Sequence, residues 1–214
     1  MLKKILIAAI VISALGYLGA LAGDELVLRW ILKPGTILLI ILYASIATKG
    51  FSAYKRIVIA GLLVSAAGDA LLLMNGSKWF MLGVFVFLVA HLFYICAFFL
   101  RWRYTVLHLL YLIPIGIYAF LLLQGLHSGM LAKGAIGLWM PIVVYVIIIS
   151  CMIWSAIISR NGIAITGAIL FFLSDSLLAW NMFVTPMAWA GYGVMITYYT
   201  AQFLIAQSTV RKHR

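Results

Sequence analysis

Uncharged runs long enough to cross the roughly 30 Å hydrocarbon core of a bilayer follow one another along this chain, with only short breaks between them. Reading between the charged and turn-forming clusters gives eight segments, at about 5–22, 34–48, 57–74, 79–100, 104–123, 134–158, 162–183 and 187–209. The connections leave no room for a soluble domain, so residues 1–214 read as a single integral membrane domain. With 67% hydrophobic and 9% charged side chains, the only spanning structures open to it are those that satisfy every backbone polar group internally. The segments lack the alternation of a membrane barrel strand. The expected fold is therefore all-α, a polytopic bundle of eight transmembrane helices.

The basic residues orient the bundle. With both termini cytoplasmic, Lys3, Lys4, Lys49, Lys55, Arg56, Arg101, Arg103, Arg160, Arg211, Lys212 and Arg214 share the inner side, against Arg29, Lys33, Lys78 and Lys133 outside. Asp24 and Glu25 also fall outside. The net charge of +11 is thus topological, with contact to anionic membrane lipids, and does not point to nucleic acid. Trp30, Trp79, Trp180 and Trp189 mark the outer interface, and Trp102 and Trp154 the inner one. The reading is of a multi-pass protein of a bacterial inner membrane.

Lys3 and Lys4, an apolar run and Ala20-Leu21-Ala22 imitate a signal peptide, whose cleavage would leave seven helices. The run is already near spanning length, so a retained first helix is the expectation. Cys96 and Cys151 fall within spans and read as free, buried thiols. Gly61 with Ser65, and Gly16 with Ala20, sit four apart as close-packing positions do.

Against this background two aspartates stand out. Asp69 and Asp175 are half of the four acidic residues, and each lies inside a span, where a carboxylate costs on the order of 2.5–3.5 kcal/mol. Ser65, Gly68, Asp69 and Leu72 share one helix face, and Phe171, Ser174, Asp175 and Leu178 repeat that spacing four helices later, which permits a parallel four-plus-four repeat. Both helices run inward to outward. At 1.5 Å per residue, Asp69 should lie ~8 Å, Asp175 ~12 Å and His91 ~18 Å below the outer helix ends.

Other polar groups lie at membrane depth. His91 and Tyr94 share a face of the fourth helix with Phe87 and Phe98, and Tyr198 and Gln202 share one on the eighth; each can serve a site or simply bond between helices. Lys33-Pro34 reads as the start of the second helix, with proline at its first position and lysine at the interface, or else in contact with a phosphate. One mid-span histidine and two aspartates are a thin supply for zinc, and no GxSxG, HExxH or glycine-rich phosphate loop occurs. No metal or cofactor is expected.

Taken in order, these residues resemble the lysoplasmalogenase family of YhhN-like membrane proteins. The resemblance runs through Lys33-Pro34, Gly68-Asp69 with Leu71-Leu72, Phe87 with His91 and Tyr94, Gly167-Ala168 through Phe171, Ser174-Asp175 with Leu178-Ala179, and Tyr198-Tyr199 through Ala201-Gln202 and Ile205. It implies hydrolysis of the vinyl-ether bond of a lysophospholipid substrate, a lysoplasmalogen, to a fatty aldehyde and a glycerophosphoethanolamine or glycerophosphocholine.

Two carboxyl groups suit that reaction. Protonating the β-carbon of a vinyl ether creates an oxocarbenium ion, which water captures as a hemiacetal that collapses to alcohol and aldehyde. One aspartate supplies the proton and its partner the anion, as the carboxyl pair of a glycosidase does. The expected catalytic residues are Asp69 and Asp175, with acid and base unassigned, and His91, Tyr94 and Tyr198 orienting water or an aspartate. Lys33, Ser65, Ser174 and Gln202 are the expected substrate contacts, with Lys33 on the lipid phosphate. The same aspartates and histidine would also serve a proton-coupled transporter. A membrane aspartyl protease fits less well, because the third helix reads Ala-Ala-Gly-Asp and the seventh lacks Tyr-Asp, and a purely structural or lipid-binding role stays open.

Overall fold

The computed structural model describes residues 1–47, 50 and 52–210. Among these, Leu2–Ala22 (α1), Leu26–Ala47 (α2), Ala53–Leu72 (α3), Ser77–Phe99 (α4), Leu112–Ala132 (α5), Trp139–Ile158 (α6), Gly162–Phe183 (α7) and Ala190–Gln207 (α8) are helices, and there are no strands. Short 3-10 turns at Val106–Tyr111 and Ile136–Leu138 lead into α5 and α6. Lys49, Arg211, Lys212 and Arg214, counted above toward the inner face, lie outside the described residues.

Six of the eight helices are long and apolar enough to cross a membrane, and the chain is a multi-pass integral membrane protein. The other two, α3 and α8, bury the largest share of their residues. A residue turned toward other helices instead of lipid can be polar at less cost, provided that it finds a partner. These two helices accordingly bring Ser65, Asp69, Tyr198 and Gln202 inward.

Successive helices pack on one another from α1 to α4 and again from α5 to α8, with the longest interfaces at α3–α4 and α7–α8. The halves join chiefly where α4 meets α6 and where α2 meets α8, two junctions that correspond, with a smaller contact of α3 on α8 that has no counterpart. This is the neighbour pattern of a parallel four-plus-four arrangement. The outermost helices break it, since α1 leans on α8 whereas α5 leans on α7 and makes no contact with α4.

Several boundaries differ from the sequence expectation. The second helix starts at Leu26, so Pro34 lies in its interior instead of at its first position. The apolar stretch before Pro34 continues the helix regardless, and Arg29 ties that first turn to the end of α1 by donating to the Ala20 and Leu21 carbonyls at 3.2 and 3.1 Å. Membrane helices tolerate an internal proline because neighbouring groups satisfy the freed carbonyl. The fifth helix begins at Leu112 instead of near 104 and runs on to Ala132, through Gln124, His127 and Ser128, past the expected end at 123. Isolated polar residues do not stop a helix where an unpaired backbone would be costlier. Cys96 and Cys151 are free, but both lie on exposed helix faces instead of being buried.

Three glycines set the approach of α3 to α4, Gly83 against Leu72 and two on α3 itself. A Cβ on Gly61 would lie 2.5 Å from the Tyr94 ring, and one on Gly68 would lie 2.8 Å from that of Phe87. The small residues thus let two large aromatics lie directly on the α3 backbone, one of them beside Asp69. At the far end of the bundle Lys55 folds back to donate to the Ser45 carbonyl, Arg101 stacks 3.5 Å from the centre of the Tyr54 ring, and the Tyr54 hydroxyl meets that of Ser208 at 2.6 Å. Tyr43 and Gln207 are hydrogen-bonded nearby.

Candidate active site

Asp69 and Asp175 line one cavity of about 110 Å³ enclosed by α2 to α8. It lies toward the end of the bundle that carries the α1–α2, α3–α4, α5–α6 and α7–α8 connections. At 1.5 Å per residue, Tyr145 sits ~9 Å, Lys33 ~10 Å, Asp175 and Tyr198 ~12 Å from the helix ends on that side. The deepest lining residues, Leu122, Ile149 and Phe172, lie ~15 to ~17 Å in, and His91 lies beneath them at ~21 Å. Apart from the two aspartates, Lys33, Tyr145, Tyr198 and two serines, the wall is apolar.

The two carboxylates have different partners. Asp69 is 1% exposed; it accepts a hydrogen bond from the Tyr198 hydroxyl at 2.7 Å through Oδ2, and Lys33 Nζ stands 3.5 Å from its Oδ1. Asp175 has 16% of its side chain exposed and accepts from the Tyr145 hydroxyl at 2.7 Å through Oδ2, with His91 Nε2 at 3.6 Å from the same oxygen. So α2 and α8 hold the first carboxylate as α6 and α4 hold the second. Only the first has a cation beside it among the described residues. Opposite unit charges at this separation attract by roughly 5 kcal/mol at an effective dielectric of 20, before the desolvation of both is subtracted.

Aromatic rings pack around the partners of both. Phe171 lies 4.6 Å from His91 and 5.5 Å from Tyr198 between ring centres, and Phe87 lies 5.8 Å from Tyr198. These steep edge-on contacts hold each ring in one orientation. His91 is fully buried, and neither of its ring nitrogens has a hydrogen-bond partner among the described residues. The 3.6 Å to Asp175 is beyond hydrogen-bond reach.

The remaining residues singled out from sequence fall into two groups. Ser174 lines the cavity, and its hydroxyl donates to the Val194 carbonyl at 3.0 Å. Ser65, Tyr94 and Gln202 lie off the cavity as a buried strut, in which the Tyr94 hydroxyl donates to Gln202 Oε1 at 2.7 Å and stands 3.3 Å from that of Ser65. Lys33 is 8% exposed and paired with Asp69, not spread along the interface. Tyr145 escaped the sequence reading. It was visible there as a phenol well inside an otherwise aliphatic run, away from the span ends where interfacial tyrosines gather. Among the described residues, no three His, Cys, Asp or Glu side chains converge as metal ligands.

Comparison with known proteins places the chain. The model of the YhhN family matches residues 28–209, which include all of these side chains. The chain belongs to the YhhN family. Relatives include lysoplasmalogenase TMEM86B of Homo sapiens, 36% identical over 158 residues, and that of Sus scrofa, 37% identical over 175 residues. The matches cover 74% and 82% of this chain, and 65% and 71% of those proteins. Lysoplasmalogenase TMEM86A of Bos taurus is 34% identical over 167 residues, 72% of this chain and 65% of its own length. The chain thus spans a little under two thirds of the human and bovine relatives. No solved structure matches it.

Proposed function

We propose that this YhhN-family chain hydrolyses the vinyl-ether bond of lysoplasmalogens, releasing a fatty aldehyde and a glycerophosphoethanolamine or glycerophosphocholine. The observation that carries the reading is the unequal environment of two carboxyl groups on one cavity. The names of the relatives point to the same substrate class. Asp69, beside Lys33, is assigned as the anion, and Asp175, with only a phenol and an imidazole near it, as the acid. Both assignments follow from the rule that a neighbouring cation favours a carboxylate and its absence in a low-dielectric wall favours the neutral acid.

The reaction then runs as follows. The β-carbon of the vinyl ether takes the proton of Asp175, and its π electrons form the new C–H bond, leaving an oxocarbenium ion between two carboxylates. Asp69 takes a proton from the water that attacks the cation. The resulting hemiacetal returns a proton to Asp175 as its carbonyl forms, and Asp69 protonates the departing glycerol oxygen. Both carboxyl groups end as they began. Tyr198 orients Asp69, and the aromatic wall keeps bulk water from the cation. Lys33 is assigned to Asp69 in preference to the lipid phosphate, and Ser65, Tyr94 and Gln202 are assigned to support α3, α4 and α8.

Purified protein in detergent, given vinyl-ether, alkyl-ether and acyl lysophospholipids, tests the reading. The vinyl ether should yield aldehyde while the alkyl ether stays intact, because a saturated ether cannot form the cation by carbon protonation. Equal turnover of the acyl lipid would move the assignment to a general lysophospholipase. Flux across sealed vesicles without cleavage would move it to a transporter.

A further inference from the structure

Tyr145 occupies one oxygen of Asp175, a residue that lines the cavity. Its hydroxyl donates to Oδ2 at 2.7 Å, and His91 Nε2 approaches that same oxygen at 3.6 Å. Tyr145 is itself held by a steep contact with His91, ring centres 5.3 Å apart at 84°. The carbonyl oxygen of a neutral carboxyl group is its better acceptor, so a hydrogen bond into Oδ2 favours the acidic proton on Oδ1. On the reading of Asp175 as the acid, which this inference requires, we infer that Tyr145 is a positioning residue: it confines the acidic proton to Oδ1 and so directs it to one face of the double bond.

The balance is that of the vinyl-ether reaction. The Oδ1–H bond breaks and a C–H bond forms at the β-carbon, the π pair supplies the electrons, and the charge left on Asp175 stays on a carboxylate still bonded to Tyr145. A phenol donor stabilises that carboxylate as it develops, which adds to the orienting role. Without it, Asp175 can rotate and present its proton from either oxygen.

Stereochemistry reads this directly. In deuterium oxide the β-carbon gains one deuterium and becomes a stereocentre, because it already bears one hydrogen and the alkyl chain. Rapid borohydride reduction fixes it as a 2-deuterio alcohol before the aldehyde exchanges hydrogen with solvent. The native protein should give one configuration in large excess. Tyr145→Phe should lower kcat about tenfold, the order of one hydrogen bond, with KM little changed and the two configurations moving toward equality. If Tyr145→Phe does not fold, trifluorotyrosine at position 145, assayed at a pH low enough to keep its more acidic phenol protonated, keeps the ring, strengthens the donor, and should alter kcat while preserving the configuration.

A Tyr145→Phe protein that loses turnover but keeps the single configuration would reduce Tyr145 to a packing residue and overturn the inference. Unchanged kcat with trifluorotyrosine would do the same. A native enzyme that makes aldehyde of both configurations would sink the inference while leaving the proposed function standing. No aldehyde from any vinyl ether would remove both.

Discussion

Asp69 beside an ammonium and Asp175 beside a phenol should respond differently when their partners are removed. Asp69→Asn and Asp175→Asn preserve size, and each should lower kcat at least about 10²-fold, the lower range for a general acid or base. Lys33→Met separates two roles. If Lys33 holds Asp69 as an anion, its loss lowers kcat with little change in KM, since the orphaned carboxylate takes up a proton instead of staying charged in the wall. If Lys33 held the lipid phosphate, KM would rise with kcat kept, and steady-state kinetics on the purified variant decides between them. The aspartates could be found from sequence because a charge inside a span is costly and therefore conspicuous. Tyr145 was hidden by the opposite logic, since an uncharged phenol costs little in an apolar helix and nothing in the string PIVVYVIII says which carboxylate it will meet. Lys33 was misplaced because Pro34 imitates a helix start when the residues before it are not seen to be helical.

At the scale of the helix, the site depends on how closely α3 can lie against α4. Gly68 precedes Asp69, and its missing Cβ is what allows the Phe87 ring to lie there. Gly68→Ala should force that ring or the helix to shift, at a cost of about 1–3 kcal/mol for overpacking. Gly116→Ala on α5 is the control, as nothing stands within 4 Å of that position. Thermal unfolding in detergent should show a lowered midpoint and reduced turnover for the first, and an unchanged or raised midpoint for the second. Equal behaviour of the two variants would mean that the α3–α4 contact is not the constraint. The number of helices was legible because short connections separate the apolar runs, whereas nothing in the string says that α3 and α7, which do not pack on one another, turn their aspartates into one cavity. Helix ends were less legible, as at Gln124, because a polar residue on a lipid-side helix looks like a turn until the backbone is seen to continue through it. The strut of Ser65, Tyr94 and Gln202 belongs to the same lesson. Its residues were visible as polar groups at depth, but only packing shows that they bond to one another and lie off the cavity.

For the whole molecule, the cavity and the charge distribution make a joint statement about sidedness. The cavity lies toward the end of the bundle carrying Arg29, Lys33, Lys78 and Lys133, opposite the more basic end. If both termini are cytoplasmic, as the positive-inside rule requires, the site lies within the outer half of the bilayer. A lysolipid whose head group lies at that surface would place its vinyl ether a short distance below, at the depth of Asp175, ~12 Å from the helix end. Right-side-out membrane vesicles given external vinyl-ether lysolipid should therefore release aldehyde at once. Inverted vesicles from the same cells should be slower by about tenfold or more until detergent admits the substrate to the other face, because a charged head group crosses a bilayer slowly. Thiol labelling of single cysteines placed at Lys78 and Lys133 should succeed from outside in intact cells, in a background where Cys96 and Cys151 are replaced. Labelling from outside combined with activity only in inverted vesicles would separate the orientation of the chain from the side on which the substrate enters. Labelling only from within would invert the bundle, put the aspartates on the cytoplasmic leaflet, and change which pool of lipid can reach the cavity.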